Sequence, residues 1–178
     1  MARILTITLN PALDLTVRLR QLELGAVNRS EAVLTQAAGK GLNVAQVLAD
    51  LGHRLTVSGF LGEDNQPPFT AMFQRRGFAD AFVRVPGETR SNIKLAERGG
   101  REARPPAVDV ASTVGAGDSL LAGMLHGLAS GWPAERVLRQ ATAIASLAVT
   151  QFEFGIGDPQ RLARIEAGVV VQPLVEEA

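Results

Sequence analysis

The sequence predicts an α/β fold that contains two kinds of strand. Residues 3–10, "RILTITLN", are largely apolar, which is typical of a strand covered on both faces. Residues 13–24, "LDLTVRLRQLEL", alternate apolar and polar side chains, which indicates a half-exposed sheet. Helical and strand patterns then follow one another in a β-α-β-α order as far as residue 77. We therefore expect two layers of different burial.

Periodicity and turn residues define the next elements. Apolar residues at helical spacing predict a helix over 42–52 that stops at Gly52, and a buried strand follows at 54–62. Two prolines and a closing glycine predict a short helix over 66–77. Two strands are expected within 81–97, joined by a turn at the Pro-Gly pair and again with one polar face.

The second half begins after an arginine-, glycine- and proline-rich stretch at 98–106, which predicts a turn or junction. The helix at 133–151 is apolar nearly all round, so we expect it to be deeply buried. We divide the chain into an N-terminal half (1–97), the junction (98–106) and a C-terminal half (107–178). The last half is expected to contain a strand at 107–113, helices over about 118–129, 133–151 and 158–168, and a strand at 169–174.

Composition excludes several classes of protein. Eighteen Lys and Arg balance eighteen Asp and Glu, so no global field recruits nucleic acid or an anionic membrane. The absence of cysteine excludes disulfides and thiolate catalysis, and two histidines do not suffice for a multi-histidine metal site. The N-terminal "MARILTITLNPALDL" has the pattern of neither a signal peptide nor a membrane span. We expect a soluble, cytoplasmic protein in which any anion site is local.

A glycine loop at 112–123, "STVGAGDSLLAG", is the clearest local anion site. A Gly-x-Gly loop that enters a helix leaves N–H groups of the first turn unpaired, at the positive end of the helix dipole. The dinucleotide fingerprint requires a third glycine where Leu120 stands. A structural alternative remains open, in which the loop is a tight turn and Asp118 or Ser119 caps the helix.

The phosphate loop of nucleotide hydrolases does not fit this chain. Its motif needs Ser or Thr after Gly-Lys, whereas Gly41 follows the one such pair, Gly39-Lys40. A kinase interpretation fits the later loop better. An aspartate such as Asp118 can orient an acceptor hydroxyl and take its proton, while N–H groups of Gly115, Ala116 and Gly117 hold the transferring phosphoryl group.

A second group of residues suits the recognition of a phosphorylated polyol. Asp14 directly follows a strand, and "AAGKGLN" is another glycine-rich helix entry that carries Lys40 and Asn43. Carboxylates and amides bind paired hydroxyls, whereas Lys and Arg bind phosphate. Arg90 and Lys94 lie on one face of a strand and suit an anion. Ordinary roles stay open for each: a turn residue, solvated charges and a helix cap.

Five segments in order resemble the PfkB group of ribokinase-like sugar kinases: "NPALD", "AAGKGLNVAQVLADLG", "SGFLGEDN", "GETRSNIKL" and "DVASTVGAGDSLLAGML". The resemblance implies a ribokinase-like three-layer α/β/α sandwich with a small β lid that often pairs two subunits. It implies that Asp118 is the catalytic base and that Gly115, Ala116 and Gly117 form the anion hole. Substrate binding is implied for Asp14, Gly39, Lys40, Asn43 and Arg90.

The same resemblance implies ATP and Mg²⁺ as cofactors and a sugar phosphate as acceptor. Within the family the chain is most similar to the bacterial kinases that phosphorylate fructose 1-phosphate to fructose 1,6-bisphosphate. Kinases of fructose 6-phosphate and tagatose 6-phosphate are close alternatives. We assign no protein metal ligand from the sequence.

One part of the family pattern is missing. Family members have a long central stretch between the lid strand and the "RPPAVDV" strand, whereas here "RGGREA" joins them directly. The missing stretch would carry a sugar-binding loop, a magnesium motif and a nucleotide-binding strand, so the central part of the sheet is expected to be absent. Three hypotheses follow: a sugar-phosphate kinase, a catalytically dead remnant that still binds sugar phosphate, or an unrelated nucleotide-binding domain. The shortening also predicts poor solubility or oligomerisation, because apolar strand edges lose their partners.

Overall fold

Strands and helices alternate along the chain in the computed structural model, which describes residues 1–20, 27–97, 115–151 and 153–171. Within these ranges the strands are β1 (Arg3–Thr8), β2 (Ala12–Leu19), β3 (Ser30–Ala38), β4 (Arg54–Gly62), β5 (Ala79–Val85) and β6 (Ser91–Glu97). The helices are α1 (Lys40–Asp50), α2 (Pro67–Arg76), α3 (Ala116–Ala129), α4 (Ala134–Val149) and α5 (Pro159–Gly168).

The strands form two separate three-stranded sheets. One sheet has the order β1-β4-β5, with β4 and β5 parallel. The other has the order β3-β2-β6, in which β2 pairs antiparallel with β3 and parallel with β6. The strands at Arg3–Thr8 and Ala12–Leu19 thus belong to different sheets. We call the β3-β2-β6 sheet the lid sheet and the other the main sheet.

The chain folds into two compact units that interleave along the sequence. The first unit contains Met1–Ile4, Asn43–Leu55 and Arg104–Ala178, and the second contains Leu5–Leu42 and Thr56–Ala103. The sequence-based junction at 98–106 and the strand expected at 107–113 lie outside the described residues. The division into sequence halves stays a prediction.

Helix packing in the first unit depends on small residues. A Cβ atom at Gly123 of α3 would lie 2.7 Å from Ala141 Cα, and one at Gly127 would lie 2.8 Å from Val137 Cγ2. The two glycines therefore let α4 approach α3 closely. The expectation of all-round burial for the helix at 133–151 is wrong, because only one stripe packs and Leu138 is 48% exposed.

In the second unit, α2 covers one face of the main sheet. Phe69 and Met72 of this helix are buried, and the Phe73 ring stacks on Phe82 of β5 with a centroid distance of 5.4 Å. The helix ends at Gly77, whose φ of 66° is left-handed, as the sequence predicts. Burial on both faces of β1 is wrong, because alternate side chains, among them Leu5, remain exposed.

Three further sequence expectations differ from the structure. Residues 81–97 do contain two strands, but β5 belongs to the main sheet and β6 to the lid sheet, so they are not a hairpin. No strand was expected at 30–38, where β3 forms. The strand expected at 169–174 is wrong for 169–171, which are not in a strand, and its remaining residues are outside the described ranges.

Candidate active site

The glycine loop opens α3 in the first unit. Gly115 is the residue before the helix, and its φ of 85° lies in the left-handed region that favours glycine. A side chain there would also collide with the ring of Phe154. The Ser119 amide donates a hydrogen bond to the Gly115 carbonyl at 2.8 Å, which closes the first turn. The loop thus places Asp118 in the first turn of a helix.

Asp118 is buried and is held by an amide from a distant part of the sequence. Asn43 Nδ2 donates a hydrogen bond to Asp118 Oδ2 at 2.9 Å, and the two residues are 6% and 8% exposed. Gly115 is the N-cap residue of α3, so the interpretation of Asp118 or Ser119 as its cap is wrong. The physical reason is that Asp118 turns toward Asn43, whereas the left-handed Gly115 begins the helix.

Asn43 also offers a buried acceptor. Among the residues that the structure describes, no hydrogen-bond donor contacts its Oδ1 atom. Buried polar atoms are nearly always satisfied, so such an atom requires an explanation. An acceptor beside a carboxylate suits a hydroxyl group of a ligand.

The Gly-Lys-Gly entry to α1 is shaped by the end of β1. A Cβ atom at Gly41 would lie 2.6 Å from both the Ile7 carbonyl oxygen and Thr8 Oγ1, and one at Gly39 would collide with the Thr8 side chain. Both glycines are therefore required by close packing. Lys40 is exposed at the first position of α1, in the same turn as Asn43.

The lid sheet of the second unit carries a second carboxylate. Asp14 of β2 is buried, and its Oδ1 atom accepts a hydrogen bond of 2.8 Å from Asn92 Nδ2. Its Oδ2 atom forms a 3.0 Å ion pair with Lys94 Nζ. Parallel pairing of β2 with β6 places Asp14 directly opposite Asn92, so the strand register creates this cluster.

Arg90 extends the cluster toward solvent. Its Nη1 atom donates to Asn92 Oδ1 at 2.6 Å and its Nε atom donates to Asn10 Oδ1 at 2.9 Å. Arg90, Asn92 and Lys94 are two residues apart and share one side of their segment, as the spacing predicts. Two cations around one carboxylate leave a net positive group that suits a phosphate.

The segment before Arg90 is pinned by a buried threonine. Thr89 Oγ1 accepts a hydrogen bond of 2.9 Å from the Gly62 amide. The Asn65 side chain binds both backbone groups of Thr89, donating to its carbonyl at 2.7 Å and accepting from its amide at 2.8 Å. We call these contacts the Thr89 clamp. It fixes the point where the chain passes from β5 to β6.

A histidine pair lies in the first unit, and its member His126 is in the last turn of α3, at the other end of the helix from the glycine loop. His53 Nε2 and His126 Nδ1 are 2.8 Å apart, and the Ala2 amide donates to His53 Nδ1 at 3.2 Å. Burial and the N-terminal amino charge lower the pKa of His53. Burial, His53, the N-terminus and Arg136 lower the pKa of His126. Both rings are therefore favoured in the neutral form.

Sequence reasoning did not select all the residues of these clusters. Asn92 was within a quoted segment but was not named, although its position two residues after Arg90 places it on the same face. The contacts of Asn10, Asn65 and Thr89 depend on long-range pairing, and no local pattern indicates them. The structure brings Asn43 to Asp118 and Arg90 to the Asp14 cluster, and it places Gly39 and Lys40 at the start of α1.

The fold is found in solved kinases of low sequence identity. The tetrameric inhibited form of phosphofructokinase-2 from Escherichia coli aligns with a TM-score of 0.79 at 17% identity, over 94% of this chain and 99% of that chain. The Methanocaldococcus jannaschii nucleoside kinase, an archaeal member of the ribokinase family, aligns with a TM-score of 0.72 at 12% identity, over 95% and 99%. The predicted ribokinase-like α/β fold is confirmed.

A family model narrows the class. The model of the pfkB family of carbohydrate kinases matches residues 7–104 and 97–161. The chain belongs to this family.

Two curated relatives of the chain are both 1-phosphofructokinases. The chain is 52% identical over 98 residues to a 1-phosphofructokinase of Vibrio cholerae, an alignment that spans 55% of this chain and 31% of that relative. A 1-phosphofructokinase of Escherichia coli K12 is 29% identical over 307 aligned positions, which span 96% of this chain and 98% of the relative. The chain thus spans less than a third of the Vibrio relative in the alignment at higher identity.

Within the described ranges, every helix is too short or too polar to cross a membrane.

Proposed function

We propose that the chain is a sugar-phosphate kinase that transfers a phosphoryl group from ATP to fructose 1-phosphate, giving fructose 1,6-bisphosphate. The observation that carries the proposal is the buried Asn43–Asp118 pair at the start of α3. It combines a carboxylate, an amide and a helix N-terminus in one place. Family membership and the names of the relatives support the same reaction. The cytoplasm, where ATP and sugar phosphates occur, is the compartment that this reaction requires.

Asp118 acts as the base in this proposal. Its carboxylate orients the acceptor hydroxyl and takes the proton as the new O–P bond forms and the bond to the leaving oxygen breaks. Asn43 Nδ2 holds the carboxylate in place, and Asn43 Oδ1 accepts a hydrogen bond from a sugar hydroxyl. Backbone N–H groups of Gly115, Ala116 and Gly117 stabilise the charge on the transferring phosphoryl group.

The remaining predicted residues bind the acceptor. Arg90, supported by Asn92, binds the phosphate already on the sugar, and Lys40 contributes a second positive charge. Asp14 accepts hydrogen bonds from sugar hydroxyls, and its contact with Lys94 holds the carboxylate in place. Gly39 lets the chain turn into α1 without a side chain in the way.

The residues present can be compared with what ATP phosphates and Mg²⁺ require. The first turn of α3 offers backbone N–H groups, a donor set that suits a phosphate. The described residues contain no group of three His, Cys, Asp or Glu that would hold a metal ion. Mg²⁺ in such a kinase is held largely by nucleotide phosphates and water, with one or two carboxylates, and neutralises phosphate charge when bound.

Binding without turnover is the second candidate function. The Escherichia coli relative aligns over 307 positions, whereas this chain has 178 residues. The relative therefore contains residues that have no counterpart in this chain. If they are needed for nucleotide binding, the chain retains the Asp14 cluster and binds sugar phosphate alone.

Pairing of two lid sheets is the third part of the proposal. Val33 of β3 and Ile93 of β6 are 54% and 69% exposed. Both lie in register with the odd-numbered residues of β2, on the face opposite Asp14. An apolar, exposed sheet face suits a homodimer, and the solved Escherichia coli phosphofructokinase-2 is a tetramer in its inhibited form.

A coupled ADP-release assay with fructose 1-phosphate and Mg-ATP tests the proposal. We expect Asp118→Asn to lower kcat by about 10²–10⁴-fold, because a general base contributes about that much. Asp64→Asn is the matched control, since Asp64 is an exposed aspartate of the other unit. Equal turnover by Asp118→Asn and the parent would contradict the assignment of the base.

Two further measurements separate the candidates. Fructose 6-phosphate and tagatose 6-phosphate in the same assay test the choice of acceptor. Calorimetric titration with fructose 1-phosphate then distinguishes the enzyme from the second candidate, because binding by folded protein without turnover supports binding alone. Absence of both binding and turnover contradicts both candidates.

A further inference from the structure

The main sheet has one covered face and one open face. Phe82 of β5 faces α2 and is buried, so its neighbour Val83 faces the other way and is 55% exposed. Phe60 of β4 lies directly opposite Val83 in the parallel register and is 49% exposed. Two large apolar side chains therefore lie side by side on the open face.

The same alternation extends to β1. Leu5 and Ile7 are 57% and 59% exposed, whereas Thr8, the last residue of β1, is 4% exposed. Because one face of the sheet is covered, we assign Leu5 and Ile7 to the other. We call Leu5, Ile7, Phe60 and Val83 the open sheet face. Thr56, Ser58, Ala79 and Ala81 continue this face toward the strand starts and are uncharged, and the exposed Arg3 and Arg54 end it at the first residues of β1 and β4.

Parallel sheets in α/β proteins are normally covered on both faces. We propose that the open sheet face packs against the same face of a second copy of this chain. This contact uses the main sheet and is separate from the lid-sheet pairing. It does not depend on the proposed kinase activity.

The exposed area fits the apolar core of a dimer interface. Four half-exposed apolar side chains together present on the order of a few hundred Å² of apolar area. A stable interface buries about 800 Å² per partner, with an apolar core inside a polar rim. The open sheet face therefore supplies the apolar core of such an interface, and its area is similar to that of the largest apolar patch on a typical monomer, which is often a functional surface.

Charge permits a second copy as the occupant. The chain has eighteen positive and eighteen negative side chains, so two copies do not repel each other through net charge. The four apolar residues of the open sheet face carry no charge, and Arg3 and Arg54 lie at the strand starts, where they would belong to the polar rim of the contact. A two-fold axis then places identical apolar patches together, as sheets do when they pack face to face.

Sedimentation velocity of the purified chain tests the contact. We expect Val83→Asp to halve the mass of the parent assembly, because it would bury four carboxylate oxygens in an apolar core across two copies. Phe60→Ser, a smaller change on the same face, is expected to shift the same equilibrium. Ile93→Asp on the lid sheet is the matched control, and it leaves the main-sheet contact intact.

The outcomes separate the two contacts. If both contacts form with closed symmetry, the parent is a tetramer, and without closure it is a longer chain of copies. Each single aspartate variant is then a dimer and the double variant is a monomer. A monomeric parent, or an unchanged mass for folded Val83→Asp, would overturn the inference. A monomer whose open sheet face still binds a hydrophobic dye would point to another occupant, such as a polypeptide with the positions that only the relatives have. Circular dichroism melting shows which variants are folded.

Discussion

The two carboxylates that the sequence selects, one in each unit, are held by different kinds of structure. Asp118 lies at the start of a helix, beside backbone N–H groups, and is bound by Asn43 from 75 residues away. Asp14 lies on a strand, where its partners Asn92 and Lys94 come from the next strand in register. A helix start supplies backbone donors for developing charge, whereas a strand face supplies only side chains. The first arrangement suits reaction and the second suits recognition.

Removing the amide partner on each side gives the sharpest comparison. Asn43→Leu leaves a buried carboxylate without one of its donors, so we expect it to lower the free energy of unfolding by about 1–3 kcal/mol. Asn92→Leu is the matched variant on the lid sheet. Water can reach its half-buried site, so a smaller loss is expected. Urea unfolding of both variants measures the difference, and equal losses would contradict the contrast.

The helix start itself can be tested with two glycines. Gly115→Ala forces a side chain into the left-handed region and against Phe154, so we expect a loss of stability of about 2 kcal/mol. Gly117→Ala is the control, because a Cβ atom there meets nothing within 4 Å. It should be neutral or stabilise the helix. Thermal melts that place both variants below the parent by the same amount would contradict this account.

The strand region should respond in binding rather than in stability. Arg90→Gln and Lys94→Gln each remove an exposed cation from the Asp14 cluster, so we expect about tenfold weaker binding of fructose 1-phosphate, roughly the loss of one charge-assisted hydrogen bond. Arg164→Gln, an exposed arginine of α5, is the control. Calorimetric titration measures the change. Unaltered affinity in both cluster variants would remove phosphate recognition from this face.

A pH change should affect the helix region through the histidine pair. Burial lowers the pKa values of His53 and His126 below 6.5, so unfolding takes up protons as the pH falls past that value. Stability is therefore complete above 6.5 and decreases below it. The double variant His53→Gln/His126→Asn should show a smaller decrease in melting temperature between neutral and mildly acidic buffer. The same slope in parent and variant would contradict the assignment.

Local patterns predicted what depends on local chemistry. The Gly77 end of α2, the Asp158–Pro159 start of α5 and the glycine before α3 all follow from backbone preferences of single residues. Side-chain spacing likewise predicted that Arg90 and Lys94 share a side. These features need no knowledge of the rest of the chain.

Pairing partners could not be predicted in the same way. The turn after β5 looks like a hairpin turn, yet β5 and β6 join different sheets because each finds a parallel partner far along the sequence. The interpretation of Asn43 as a helix cap is wrong, because α1 begins at Lys40 and Asn43 lies within its first turn, where it binds Asp118. Burial of β1 and α4 was overestimated for the same reason, since an apolar pattern does not say which neighbours are present to cover it.

The Thr89 clamp has a mechanical consequence. Its three hydrogen bonds tie the residue before Arg90 to Gly62 at the end of β4 and to Asn65, two residues before α2. A displacement of Arg90 by a bound phosphate would therefore also displace the end of β4 in the main sheet, because hydrogen bonds join the two segments. Amide hydrogen exchange at Gly62 and Thr89 should accordingly slow when a phosphorylated ligand binds. The exchange rates of these two amides would thus report on ligand binding at the lid sheet.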